Sequence, residues 1–348
     1  MRLGQLVRIP IIQAPMAGVS TPQLAAAVSN AGALGSIGIG ASSCEVAEQK
    51  ILEVRKLTSK PFNVNVFCHK PAIRDCVKEK NWIRHLSPLF KELGAAHPPK
   101  DLNEIYKSFV TDQETFEMLI LQKPHVVSFH FGLPSKEWIS SFKKNGILTM
   151  ATATSLGEAK TIEEAGVDFI VAQGAEAGGH RGVFDVNVAD EMLTTNKLVQ
   201  LLQDGIKTPI IAAGGIMNGA HIQAMMSLGA EGVQMGTAFL LCPESATSVK
   251  YRESLKTVTQ SKLTSVISGR PARGIVNKFV KYGESPNAPT PPAYPIAYDV
   301  AKRLDALDRA HRNTGEFGAF WAGAEARLCR EMNASQLVSA LAREAKFE

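Results

Sequence analysis

A lone histidine closes a glycine-rich stretch, AQGAEAGGHRG (172–182), which directly follows the apolar run DFIVAQG (168–174). A plain turn needs one glycine or two. Four glycines in this stretch let its backbone come close to a bound group, and they deliver His180 and Arg181 to its far end. Near neutral pH an imidazole either accepts a carbon-bound proton or, as a cation, holds an anion. His180 is therefore the candidate catalytic residue. The plainer role, an imidazole bonding a loop carbonyl, suits a core histidine better than one presented by a glycine loop at a strand end.

Two further loops carry the signature of an anion cradle. AAGGI (212–216) and QMGTA (234–238) end consecutive apolar runs. Gly214, Gly215 and Gly236 allow backbone N–H groups to approach an anion without a Cβ in the way, and Thr237 adds a hydroxyl. One such loop is equally well a tight strand-to-helix turn; two in succession favour phosphate. APMA (14–17) brings the soft side chain of Met16 to another strand end, and FNVN (62–65) places Asn63 and Asn65 on one side of a strand. Gln173 is a third amide. Each amide alone is an ordinary structural hydrogen-bonder, but beside a phosphate cradle they describe a site for a phosphorylated flat ring. No GxGxxG with a following acidic residue is present, which disfavours a Rossmann dinucleotide site.

The elements needed to position these groups recur along the chain. Apolar runs at 9–15, 33–40, 61–67, 125–131, 146–152, 168–174, 208–216 and 230–238 alternate with helical patterns. Several helices carry start and stop signals: Thr21 and Pro22 before 21–32 with Gly32 after it, Ser42 and Glu45 at capping-box spacing, and Asn218 and Gly229 around 218–229. Eight such units in about 240 residues predict an α/β protein, a TIM (β/α)8 barrel whose strand C-termini carry the function. Residues 1–248 form the barrel in this reading, with 68–120 a helical insertion at its mouth. Residues 249–330, interrupted by ESPNAPTPPAYP (284–295), are expected to be a smaller, mainly helical domain covering the substrate. Residues 331–348 supply a last helix packed back on the barrel.

Composition bounds the function. The 348 residues are 45% hydrophobic and 20% charged, with a net charge of +5 and no basic stripe, so nucleic acid is not an expected partner. Five scattered cysteines without CxxC spacing read as reduced thiols, and no metal site is expected. No apolar run approaches the ~18 residues of a membrane span. The first residues, MRLGQLVRIP, lack a signal-peptide core, which makes the cytoplasm the default location.

Taken together, QAPMAGVSTPQLAAAVSNAGALGSIG (13–38), FNVNVFCH (62–69), VSFHFG (127–132), AQGAEAGGHRG, AAGGI and GVQMGTAFL (232–240) resemble the nitronate monooxygenase family, the 2-nitropropane dioxygenase-like enzymes. RPARGIVN (270–277) and YPIAYDVAKRL (294–304) resemble its class I branch. The barrel matches are shared with FMN-dependent enoyl-ACP reductases; the HRG, FCH and YPIAYD segments discriminate better. The resemblance implies a noncovalent FMN and the oxidation of alkyl nitronates by O2 to nitrite and a carbonyl compound. It implies His180 as the active-site histidine and an FMN set of Met16, Asn65, Gln173, Gly178, Gly179, Gly215, Gln234, Gly236 and Thr237. His130, at the end of the fourth run, and Tyr106, in the insertion, are substrate-pocket candidates. Tyr294, Tyr298 and Lys302 recur every four residues and would share a helical face, either solvated or covering an anionic substrate such as propionate 3-nitronate. Arg181, Arg270 and Arg273 suit phosphate, substrate or a domain contact equally. An NAD(P)H-dependent flavin reductase on the same scaffold is the main alternative function, and a non-catalytic FMN-binding protein a minor one. The oligomeric state is open between monomer and homodimer.

Overall fold

The structure, a computed structural model, describes residues 2–347. Eight parallel strands form the barrel: β1 (Ile11–Gln13), β2 (Gly35–Gly38), β3 (Phe62–Phe67), β4 (Val126–His130), β5 (Leu148–Ala153), β6 (Phe169–Gln173), β8 (Ile210–Ala213) and β9 (Gly232–Met235). They run in the order β1-β9-β8-β6-β5-β4-β3-β2, and a parallel bridge between Ile12 and Leu34 closes the ring. Each apolar run of the sequence supplies one of these strands. They are buried on both faces because helices cover the outside while side chains fill the inside.

The filling of the barrel explains where the site must lie. Its N-terminal end is plugged by Leu3, Val7, Ile12, Leu34, Val126, Met150 and Phe169. Above this plug sits a buried polar layer: the Ser36 N–H donates to Gln13 Oε1 (2.9 Å) and Asn63 Nδ2 donates to Ser36 Oγ (3.1 Å). Space remains at the C-terminal mouth. Outside, the helices start on side-chain caps that satisfy their free N–H groups. Thr21 accepts from Leu24 N and Asn218 from His221 N, as their positions predict. Ser42 does not cap its helix: Ser43 accepts from Val46 N, and Ser42 instead accepts from Lys50 Nζ at 2.9 Å.

Residues 249–330 are not only helical. Besides helices Val249–Thr257, Lys278–Gly283 and Ile296–His311 they contain an antiparallel pair, β10 (Ser261–Thr264) and β11 (Ala272–Ile275). The local reason is that β11 has a partner the periodicity does not reveal. It pairs antiparallel with β7 (Gly179–His180), with Ala272 opposite His180 and Arg273 opposite Gly179. The histidine loop thus becomes the edge strand of a small sheet. Helix Cys76–Glu92 of the insertion buries Trp82, Leu86, Leu89 and Phe90 against Val266, Phe279, Ile296, Val300 and Leu304, making a second apolar core beside that of the barrel. The last helix, Ala334–Glu344, buries Leu337, Val338 and Leu341 in the main core. Among the described residues no helix is long and apolar enough to cross a membrane, and no cluster of side chains could hold a metal ion.

Candidate active site

A cavity of about 660 Å³ opens at the C-terminal mouth of the barrel, under the cover made by the insertion and residues 249–330. His180, Met16, Asn65, Gln173, Gly178, Gly179, Gly215, Gln234, Gly236, Thr237, His130, Tyr106, Tyr294, Tyr298 and Lys302 all line it. Residues spread over most of the sequence therefore meet in one space. Asn63 does not line it; two residues before Asn65 along β3, it belongs to the polar layer with Ser36.

One end of the cavity is built of backbone. Gly215 has φ +69, a left-handed conformation, and a Cβ there would lie 3.2 Å from Glu176 Cβ. The Gly215 and Thr237 N–H groups have no hydrogen-bond partner among the described residues, and Thr237 begins a 3-10 turn capped by Gly236. Thr237 Oγ1 accepts from Gly323 N at 3.0 Å. Free N–H donors from two adjacent strand ends suit a phosphate. Further along, the Asn65 amide donates to Ser128 O (3.1 Å) and Ser128 Oγ (2.9 Å), which orients its Oδ1 as an acceptor for a ring N–H. The Gln173 amide is spent within the protein, donating to His180 O (3.0 Å) and accepting from Gly182 N (2.8 Å). It shapes the histidine loop.

His180 is held from both sides. Its carbonyl also faces His130 Nε2 at 3.2 Å, while His130 Nδ1 is 3.0 Å from Thr152 Oγ1. Its ring Nε2 lies 2.9 Å from Ser268 Oγ. Phe131, Tyr294, Tyr298 and Trp321 surround the imidazole, with ring centroids 5.1–6.2 Å away. Burial, reinforced by His130 and the Arg270 guanidinium, pulls the His180 pKa down to about 3; burial and Arg270 take His130 to about 4. Both imidazoles are neutral at pH 7. Of the two forms the sequence allows for His180, the neutral imidazole is the one this pocket holds.

The three arginines separate. Arg181 is fully buried, pairs with Asp190 at 2.7 Å and donates to the carbonyls of Gln173 and Gly174, so it braces the loop. Arg273 donates to Ala175 O (2.9 Å) and Ser261 O (3.1 Å) and ties β11 to the loop. Arg270 lies over the Phe131 ring, 4.3 Å from its centroid, outside the cavity wall. Phe131 has φ +75, an uncommon conformation for an aromatic residue and a reason to suspect function at that position.

The cover also contributes polar side chains to the cavity. Tyr298 and Lys302 share a face of helix Ile296–His311, with Tyr294 just before it. Burial pushes the phenols of Tyr106, Tyr294 and Tyr298 up, Tyr298 to about 12, so they remain hydrogen-bond donors. Lys302 Nζ sits 4.9 Å from the Tyr106 ring centroid and 5.6 Å from that of Tyr298, and it makes no ion pair with a described residue.

This arrangement has close counterparts. The family model for nitronate monooxygenase matches residues 2–344. A nitronate monooxygenase of Paraburkholderia phytofirmans is 51% identical over 339 residues, covering 97% of this chain and 92% of that one. The chain belongs to the nitronate monooxygenase family. It is an oxidoreductase of that family, acting on a small molecule. A nitronate monooxygenase of Pseudomonas aeruginosa is 48% identical over 340 residues, covering 97% and 96% of the two chains. Among solved structures, nitroalkane oxidase from Streptomyces ansochromogenes superposes with TM-score 0.90 at 35% identity over 99% of this chain and 97% of its own. FabK from Thermotoga maritima gives 0.74 at 29% identity over 99% and 95%.

Four groups at the site of this family member escape a reading by motif and period: Phe131, Ser268, Arg270's burial behind Phe131, and Trp321. Phe131 lies inside a recognisable segment, VSFHFG, and Ser268 stands two residues before another, RPARGIVN, yet nothing in their type announces a role. Trp321 had no local signal; it reaches His180 only because Trp321 bridges to Gly274 of β11.

Proposed function

We propose that this chain oxidises alkyl nitronates with O2, using noncovalent FMN, to nitrite and a carbonyl compound. The observation that carries the proposal is the pairing, in one cavity, of a neutral, caged His180 with a cradle of unpaired backbone N–H groups about the Gly215 and Thr237 turns. The residues fit FMN: Gly215, Gly236 and Thr237 would take its phosphate, Asn65 and Gln234 the polar edge of its ring, and Met16, Gly178 and Gly179 its flank. When bound, FMN supplies the acceptor for the electrons of the nitronate and their transfer to O2.

The chain's own groups would handle charge and protons. His180, neutral at physiological pH, would accept the carbon-bound proton when a neutral nitroalkane is offered. A nitronate arrives without that proton and needs only an anion-compatible site, which the phenols of Tyr106, Tyr294 and Tyr298 would provide by donation. Lys302 at the cover would pair with a distal carboxylate such as that of propionate 3-nitronate. Lys302→Met should then raise KM for carboxylate-bearing nitronates by roughly fivefold to tenfold, the range for a partly exposed charge-assisted contact. Alkyl nitronates with uncharged tails should change by less than about twofold. Equal losses for both would return Lys302 to a solvated face.

The source of electrons tests the proposal as a whole. Under anaerobic conditions a nitronate should bleach the flavin absorbance, while NADH should do so slowly or not at all. Reduction by NADH at the rate of turnover, with no response to nitronate, would make the chain a flavin reductase on this scaffold.

A further inference from the structure

The tautomer of His180 is decided by a turn in the cover. Ser268, 1% exposed, stands between β10 and β11 in the sequence ISGRPAR. Gly269 follows at φ +84, and a Cβ there would lie 2.2 Å from the Pro292 carbonyl oxygen, so only glycine makes this turn. The turn folds both backbone groups of Arg270 onto the Ser268 hydroxyl: Oγ is 3.1 Å from Arg270 O and 3.3 Å from Arg270 N. Its third neighbour is His180 Nε2, at 2.9 Å.

A hydroxyl carries one proton and these three neighbours constrain it. The Arg270 carbonyl can only accept and the Arg270 N–H can only donate, whereas an imidazole nitrogen does either. Were Ser268 to donate to His180, the Arg270 carbonyl would face an oxygen lone pair at 3.1 Å with no other partner among the described residues. Buried carbonyls are rarely left that way. The proton therefore goes to Arg270 O, and Ser268 accepts from His180. We infer that Ser268 is a positioning residue that holds His180 as the Nε2–H tautomer, leaving Nδ1 as the basic nitrogen presented to substrate.

Three further observations agree. Nδ1 makes no hydrogen bond with a described residue and is not among the sealed, unpartnered polar atoms, while His180 lines the cavity. The His180 carbonyl is clamped by Gln173 and His130. Phe131 and Trp321 flank the ring at 5.6 and 5.1 Å and narrow the room it has to turn. The proton step is then simple: the Cα–H bond of a nitroalkane breaks, its electron pair forms the C=N bond of the nitronate, and the proton goes to Nδ1. The imidazolium keeps its Nε2–H on Ser268 Oγ.

The use of Nδ1 rests on His180 being the base; its tautomer does not, and the test keeps the two apart. Long-range ¹H–¹⁵N correlation spectra of histidine-labelled holoenzyme, with His180 assigned by the signal lost in His180→Asn, should place the proton on Nε2. A proton on Nδ1 overturns the inference whatever the activity. Ser268→Ala should yield mixed tautomers and lower kcat for a neutral nitroalkane by about tenfold, the scale of one neutral hydrogen bond, with KM little moved. Nitronate turnover should fall less, and Ser268→Thr, which keeps the hydroxyl, should restore the Nε2–H form. A retained Nε2–H signal in Ser268→Ala overturns the role of Ser268; a changed tautomer with equal losses on both substrates overturns the use of Nδ1 as the base. An intact tautomer in wild type with nitroalkane turnover surviving in His180→Asn would instead sink the base reading alone.

Discussion

Replacing His180 with asparagine should lower turnover of a neutral nitroalkane by about 10²–10⁴-fold, the usual worth of a positioned general base. Turnover of the matching nitronate, which has already lost the proton, should fall by much less. Asparagine keeps a polar group near Ser268 Oγ, and the backbone clamp on residue 180 is made by Gln173 and His130 to a carbonyl that the substitution retains. The loop should therefore hold its place, and FMN content, measured in both proteins, should match. The wild-type pH profile adds a signed expectation. Because the imidazole pKa is held near about 3, the base form is present throughout pH 5–9 and would be lost only as pH falls toward that value. No His180 inflection should appear near the ordinary histidine range. Equal losses on both substrates at constant FMN would make His180 a binding residue; no loss on either would make it structural.

Gly215→Asp should give protein that folds but purifies colourless. The position has φ +69, and aspartate is one of the side chains that tolerate the left-handed region. Its carboxylate would stand among the unpaired N–H groups proposed to receive the phosphate. Two like charges about 4 Å apart at an effective dielectric near 20 repel by about 4 kcal/mol, and two or three orders of magnitude in affinity follow. Circular dichroism and the thermal transition check the fold; titration with FMN, followed by absorbance or fluorescence, reads the affinity. Gly215→Ala brings the strain without the charge, its Cβ meeting Glu176 Cβ at 3.2 Å, and should weaken FMN far less. A fully loaded Gly215→Asp protein would show that the phosphate lies elsewhere.

The eight strands of the barrel were legible in the sequence because each is a short apolar run between turn residues, and such a run reports burial on both faces without knowing its neighbours. The same holds for most helix starts, where a cap acts within three residues; the shift from Ser42 to Ser43 is the size of error expected when two serines compete for one cap. The glycine loops too declared themselves locally, since Gly215 needs a backbone conformation that its own residue type makes possible. The convergence of His180, Met16, Asn65 and Gln234 also followed from the sequence, because strand C-termini in this architecture share one mouth.

What the chain's local pattern could not carry was decided by pairing and burial at long range. That β11 takes Gly179–His180 as its edge partner depends on a ladder between segments some ninety residues apart, and hydrogen-bond registers of that kind leave no periodic trace. This pairing, together with the Gly274–Trp321 bridge, brings Ser268 to Nε2, Trp321 to the ring and Arg270 behind Phe131. The protonation state of His180 was likewise undetermined by residue type: a histidine's ordinary pKa straddles neutrality, and only desolvation beside His130 and Arg270 commits it to the neutral form. The three arginines were equivalent as letters and became distinct once Arg181 was buried against Asp190 and the Gln173 carbonyl. Residue type and spacing determined which chemistry was on offer, whereas charge state, tautomer and the choice among equivalent side chains came from tertiary contacts, because these depend on distance and dielectric that no local sequence window encodes.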